Sequence, residues 1–181
     1  MRKIGKRLLV GMLLLCFWIS SPVLGAESEV TVQAKGAVLL DGMTGRVLWQ
    51  KNGQEPLAVA STTKVLTALI VLESGQTDQE ATVSARAAAA PKVHLGLKSG
   101  ERYRVGDLLY PLLLESSNDA AVVLAEQVGG SVENFAAKMN AKAKALGAKD
   151  SYFVTPNGLD QDGNHATAED MARILAAAVK R

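Results

Sequence analysis

At 181 residues, with 48% hydrophobic and 21% charged side chains, the chain is long enough for one packed domain or part of a larger one. Aromatic residues make up only 4%, which argues against a module that stacks nucleic-acid bases. The formal charge of +2 is a property of the first residues: without 1–25, 16 Lys and Arg face 18 Asp and Glu, a net charge of −2 with no basic footprint for a nucleic-acid partner.

Residues 1–25 read as a secretory signal peptide. Arg2, Lys3, Lys6 and Arg7 form a basic start, Leu8 to Ile19 is an apolar run of 12 residues, and Ser20-Ser21-Pro22 breaks it. The small-residue stretch at Gly25-Ala26 then supplies a cleavage site, expected after Gly25. As a helix the run would rise ~18 Å, too little for a hydrocarbon core of ~30 Å. The expected organisation is a signal segment, 1–25, and an exported portion, 26–181, that works outside the cytoplasm. The only cysteine, Cys16, lies inside the apolar run behind bulky leucines, which disfavours lipid attachment. A mature chain without thiols excludes disulfides, thiolate metal sites and a cysteine nucleophile.

Beyond a polar stretch at 27–35, Ala37 to Asp41 and Arg46 to Gln50 read as strands joined by a Gly-Met-Thr-Gly turn, hence a hairpin. From Ser61 the period becomes helical: Val65, Leu66, Leu69, Ile70 and Leu72 recur up to Glu73, and Gly75 ends the run. That helix is apolar on most sides and so is expected inside the fold. Residues 76–105 are mixed, with a short helix at Ala85 to Ala90. Helices follow at Val105–Leu114, Ala120–Val128, Val132–Leu146 with Gly147 as its stop, and Ala168–Val179 entered through Thr167. A lone hairpin is not stable by itself. No clear strand follows residue 60, so the sheet is expected to be completed by chain beyond Arg181.

Two short motifs carry chemistry. Ser61-Thr62-Thr63-Lys64 stands at the mouth of the buried helix, with Ser61 and Lys64 one turn apart on one face. A serine hydroxyl needs a base. A lysine serves as one when burial or nearby positive charge lowers its pKa, and the helix N-terminus disfavours an ammonium there. The plainer reading makes Ser61 an N-cap and Lys64 a solvated lysine. Ser116-Ser117-Asn118 lies in a polar break between two apolar helices. It either caps the second helix or supplies a proton relay (Ser116) and an amide that grips substrate (Asn118).

A Ser-x-x-Lys at a buried helix start, then a Ser-x-Asn about 50 residues later between helices, is the layout of penicillin-binding enzymes, except that their middle motif often reads Ser-Asp-Asn. The surrounding residues resemble the low-molecular-weight D-alanyl-D-alanine carboxypeptidases: Ala58-Val59-Ala60-Ser61-Thr62-Thr63-Lys64-Val65-Leu66-Thr67, then Ser116-Ser117-Asn118-Asp119-Ala120-Ala121 with Ser117 where Gly is more usual. Phe135, Met139-Asn140, Leu146-Gly147, Phe153, Pro156-Asn157-Gly158-Leu159 and Thr167-Ala168-Glu169-Asp170-Met171-Ala172 continue the likeness, from about Ala34 onward. The resemblance implies an α/β (α+β) fold of the serine β-lactamase and penicillin-binding transpeptidase type. Here a helical subdomain would pack on the first strands of an antiparallel sheet, and 26–181 would form the N-terminal portion of the catalytic domain. It also implies Ser61 as acyl-ester nucleophile, Lys64 as general base, Ser116 as proton relay and Asn118 as substrate-positioning amide. No metal or organic cofactor is implied.

The implied substrate is a peptidoglycan stem peptide ending in D-Ala-D-Ala, with β-lactams as covalent inhibitors. Membrane association is expected only through segments not present here. A serine β-lactamase and a non-catalytic peptidoglycan-binding fragment stay open as alternatives. The family's Lys-Thr-Gly motif has no counterpart in the expected order, because Lys98-Ser99-Gly100 precedes Ser116 and reads as a loop. His165 falls in a run one residue shorter than the family's and is read as structural. With His94 and His165 the only histidines, a zinc site is not expected.

Overall fold

A computed structural model of the chain describes residues 31–159 and 163–181, whose compact unit runs from Val32 to Arg181. The expected signal segment, 1–25, lies outside the described residues. In chain order the elements are β1 (Ala37–Leu40), β2 (Val47–Lys51), a 3-10 turn (Ala60–Thr63) and α1 (Lys64–Glu73). Then come β3 (Glu80–Thr82), α2 (Ala85–Ala88), β4 (Arg102–Arg104) and α3 (Val105–Leu114). The series ends with α4 (Asn118–Gly129), α5 (Val132–Ala145) and α6 (Ala168–Ala178).

Within the Val32–Arg181 unit, helix α1 is central, packed against α3, α4, α5 and α6. Its sequence dictates this. Leu66, Ala68, Leu69, Ile70 and Val71 cover most of its circumference and are all buried. Around it lie Leu108 and Leu112 of α3, Leu124 of α4, Phe135 and Met139 of α5 and Ile174 of α6, each at most 2% exposed. Burial of each such side chain contributes roughly 1.5–3 kcal/mol. The surface helix α5 turns only one stripe inward, Val132, Phe135, Met139 and Ala143, and leaves its lysines outside.

Local chemistry sets the helix ends. Ser131 accepts from Asn134 N–H at 3.1 Å and Thr167 accepts from Asp170 N–H at 3.1 Å, capping α5 and α6. Between α4 and α5 the chain reverses at Gly129-Gly130. A Cβ on Gly129 would stand 2.7 Å from Phe135 Cβ, so glycine is what lets the two helices meet so soon.

The sheet differs from the expectation in one respect. β1 and β2 form the expected antiparallel hairpin, with Val38 opposite Gln50. Its turn is tied by Asp41 Oδ1, which accepts from Met43 and Thr44 N–H at 3.0 and 2.8 Å. The mixed stretch 76–105, however, holds a second antiparallel pair, β3 with β4, in a separate two-stranded sheet. Three residues per strand are too few to display a period of two, which is why the pair was not legible. It does not extend the first hairpin, whose β1 is packed against α6. No helix among the described residues is long and apolar enough to cross a membrane.

Candidate active site

Ser61 stands in the 3-10 turn that leads into α1, and Lys64 is the first residue of α1 itself. The two motif residues therefore lie on consecutive turns of one continuous right-handed path. Ser61 is exposed, whereas Lys64 is only 2% exposed. The Lys64 ammonium donates to Ser61 Oγ at 3.3 Å, to Ser116 Oγ at 3.1 Å and to the Asn157 carbonyl at 2.9 Å. Ser116 is 52 residues away in sequence and Asn157 is 93 away, so only the fold brings them together.

No carboxylate is among the partners of Lys64 within the described residues. Burial without a counter-ion makes the charged form costly, and it pushes the Lys64 amine down from 10.5 to about 8. The position of Lys64 at a helix start acts in the same direction. The partners also define where protons can go. A backbone carbonyl only accepts, so Asn157 holds one N–H of Lys64. A neutral lysine then has one further N–H and one lone pair to share between the hydroxyls of Ser61 and Ser116. The arrangement can take a proton from Ser61 and deliver one at Ser116.

The break between α3 and α4 is shaped to present Ser116. The Pro111 carbonyl accepts from both Glu115 and Ser117 N–H at 3.1 Å, closing the end of α3. Ser116 follows with φ +59, a left-handed conformation that is uncommon outside glycine. Ser117 occupies the N-cap position of α4 without a side-chain cap, and neither Ser116 nor Asn118 caps the helix through its side chain. The break thus starts α4, with Ser117 as its N-cap and Asn118 as its first residue, but without a side-chain cap. Asn118 is 3% exposed, its Nδ2 donating to the Pro91 carbonyl at 3.0 Å and its N–H to the Val93 carbonyl at 2.8 Å.

Three residues that the sequence reading matched to the family were given no role by it. Asn157 contributes through its main chain, which no side-chain pattern betrays. Thr67 fixes the same segment by donating to the Pro156 carbonyl at 2.7 Å. Gly158, with φ +73, lets that segment reach the turn that carries Ser61, since a Cβ there would lie 1.8 Å from the Ala60 carbonyl oxygen. The Pro-Asn-Gly tripeptide was a signal for a turn, but not for what the turn touches.

The remaining expectations fall outside the cluster. Lys98-Ser99-Gly100 forms a turn before β4, Gly100 N–H donating to Val83 and Lys98 N–H to the Glu101 carboxylate. His165 pairs its backbone with Tyr152, and its Nδ1 lies 2.7 Å from the Gly163 carbonyl. Among the described residues no group of His, Cys, Asp and Glu could hold a metal ion.

The family model described as D-alanyl-D-alanine carboxypeptidase matches residues 24–181. The chain is 38% identical to the D-alanyl-D-alanine carboxypeptidase DacF of Bacillus subtilis, across 99% of this chain and 48% of that protein. It is 33% identical to DacC of Escherichia coli, across 90% of this chain and 44% of that one. Among solved structures, the carboxypeptidase DacD of Francisella tularensis superposes with a TM-score of 0.79 at 32% identity, over 83% of this chain and 38% of that chain. A penicillin-binding protein homologue from Mycobacterium tuberculosis gives 0.80 at 34% identity, over 84% of this chain and 58% of that chain. The chain thus spans about half the length of the curated relatives it matches.

Proposed function

The chain belongs to the peptidase S11 family, the D-alanyl-D-alanine carboxypeptidases, and from that premise we propose that it serves as the nucleophile-bearing part of an exported serine carboxypeptidase that trims peptidoglycan stem peptides. The observation that carries the reading is the buried Lys64, with no carboxylate among its partners in the described residues, in contact with both Ser61 and Ser116. Neutral Lys64 takes the Ser61 proton as Oγ attacks the carbonyl carbon of the penultimate D-alanine. The tetrahedral intermediate collapses, the C–N bond to the terminal D-alanine breaks, and a proton passes through Lys64 and Ser116 to the departing amine. Water then attacks the acyl-serine ester, its proton taken up by Lys64 and returned to Ser61 Oγ. Asn118 holds the substrate amide during these steps.

A β-lactam presents a strained amide to the same hydroxyl and should form a lasting ester on Ser61. The signal-like residues 1–25 support action outside the cytoplasm, at the cell wall or the outer face of the membrane.

The test is covalent labelling by a fluorescent penicillin, with Ser61→Ala alongside, read by gel and intact mass. A stable adduct of one penicillin per chain that disappears in Ser61→Ala is expected. Absence of an adduct would overturn catalysis by this chain. Continuous turnover of a chromogenic cephalosporin would favour a β-lactamase.

A further inference from the structure

Residues 91–97 form no helix or strand, and most of them are exposed, Val93 at 59% and Leu95 at 42%. An exposed irregular segment is ordinarily free to move. This one is fastened by five hydrogen bonds to a single stretch, Asn118-Asp119. Asn118 holds the carbonyls of Pro91 and Val93. The carboxylate of Asp119 accepts from Leu95 N–H at 3.1 Å, Gly96 N–H at 2.9 Å and Leu97 N–H at 3.1 Å. Two further donors, Ala120 N–H at 2.9 Å and the Ser117 hydroxyl at 3.0 Å, complete the shell of this residue, which is 1% exposed.

We propose that Asp119 is a positioning residue for the acyl-transfer site, clamping segment 91–97 so that the segment in turn holds the Asn118 amide in its working orientation. The inference rests on the reading of Ser61, Lys64, Ser116 and Asn118 given above. A primary amide has one acceptor and one donor end. With the donor end of Asn118 on the Pro91 carbonyl, a half-turn of the amide would set two oxygens against each other. The place of Pro91 therefore decides which way Asn118 faces, leaving its oxygen and second N–H for a substrate amide. Pro91 has no ladder to hold it, and three consecutive backbone N–H groups on Asp119 fix the segment four to six residues further on.

Only an ionised carboxylate fits this role. Burial pushes the Asp119 carboxyl up, but the N–H groups of Leu97, Leu95 and Ala120 and the Ser117 hydroxyl outweigh it and hold the carboxyl below its usual range. Both oxygens face N–H donors, Oδ1 those of Leu95 and Ala120, Oδ2 those of Gly96 and Leu97. An asparagine at 119 has nearly the same shape, yet whichever way its amide turns, two N–H groups meet an NH2 group instead of an oxygen. The segment is released without a cavity being made.

The experiment compares the full chain with Asp119→Asn, Asn118→Ala and the double variant, by hydrogen exchange at residues 93–97 and by the rate of Ser61 labelling with fluorescent penicillin. In Asp119→Asn, exchange at Leu95, Gly96 and Leu97 should quicken and labelling should slow, each by about tenfold. The double variant should label no more slowly than Asn118→Ala, because Asp119 acts through Asn118. A residue that merely supports the fold would slow labelling in both backgrounds alike, and that additive result overturns the proposal, as do protected amides in Asp119→Asn. If Asp119→Asn does not fold, Leu95→Pro removes one clamp donor at an exposed position. Freely exchanging Gly96 and Leu97 with labelling at the wild-type rate would then refute the idea. Should the wild type itself fail to label, the function proposed above falls, and the exchange data still decide whether Asp119 is the clamp.

Discussion

Raising the pH from 6 to 9 should accelerate acylation of Ser61 by about 90-fold, because the proposed base is a lysine whose amine burial has brought down to about 8. At that value about 1% of Lys64 is neutral at pH 6, about one tenth at pH 7 and about nine tenths at pH 9. An ordinary lysine with its pKa at 10.5 would be neutral in only about 0.03% of molecules at pH 7. Burial at 2% exposure, with no carboxylate among its partners in the described residues, thus enriches the active form about 300-fold at neutral pH. The assay is the second-order labelling rate with a penicillin from pH 6 to 9.5, with Lys64→Arg as the control that keeps the charge and cannot surrender it. The expected profile rises with unit slope, bends near 8 and levels off, and Lys64→Arg shows no labelling. A flat profile, or one still climbing with unit slope at pH 9.5, would refute the argument that burial prepares the base. Stability carries the same signature. Below about 8 both the folded and unfolded chains hold the Lys64 proton, and the burial cost is fully present. Between about 8 and 10.5 the unfolded chain binds a proton that the folded chain does not, so stability gains a favourable contribution from Lys64 as pH rises through that window.

Gly158→Ala should destabilise the fold by about 3 kcal/mol or more, since the new Cβ meets the Ala60 carbonyl and the φ of +73 is unfavourable for alanine. Chemical denaturation reads the loss, and labelling of Ser61 should fall with it as the Asn157 carbonyl moves off Lys64. Thr63→Val should act in the opposite sense. The Thr63 hydroxyl is fully buried and makes no hydrogen bond among the described residues, so a methyl of the same shape should stabilise by about 1 kcal/mol. A lowered urea midpoint in Thr63→Val would show that the hydroxyl has a partner after all.

The helices were legible because their causes are local. The periods of α1, α3 and α5, the cap Thr167, and the stops at Gly75 and Gly147 all lie within a few residues of what they control. Ser61 and Lys64 were legible for the same reason, being one turn apart on a helix whose composition demands burial. The pair β3 and β4 was not, because a three-residue strand takes its identity from a partner 20 to 24 residues away.

By itself the sequence determined the α1 core, the helical order and the residue types able to do acyl transfer. Only the tertiary structure decided that Ser116 and the Asn157 carbonyl converge on Lys64, that no carboxylate of the described residues joins them there, and that Asp119 fastens the exposed 91–97 segment beside Asn118. The physical reason is the range of the forces. Propensity and capping act along the chain, whereas desolvation of a lysine and the satisfaction of backbone groups depend on what the rest of the chain packs around them.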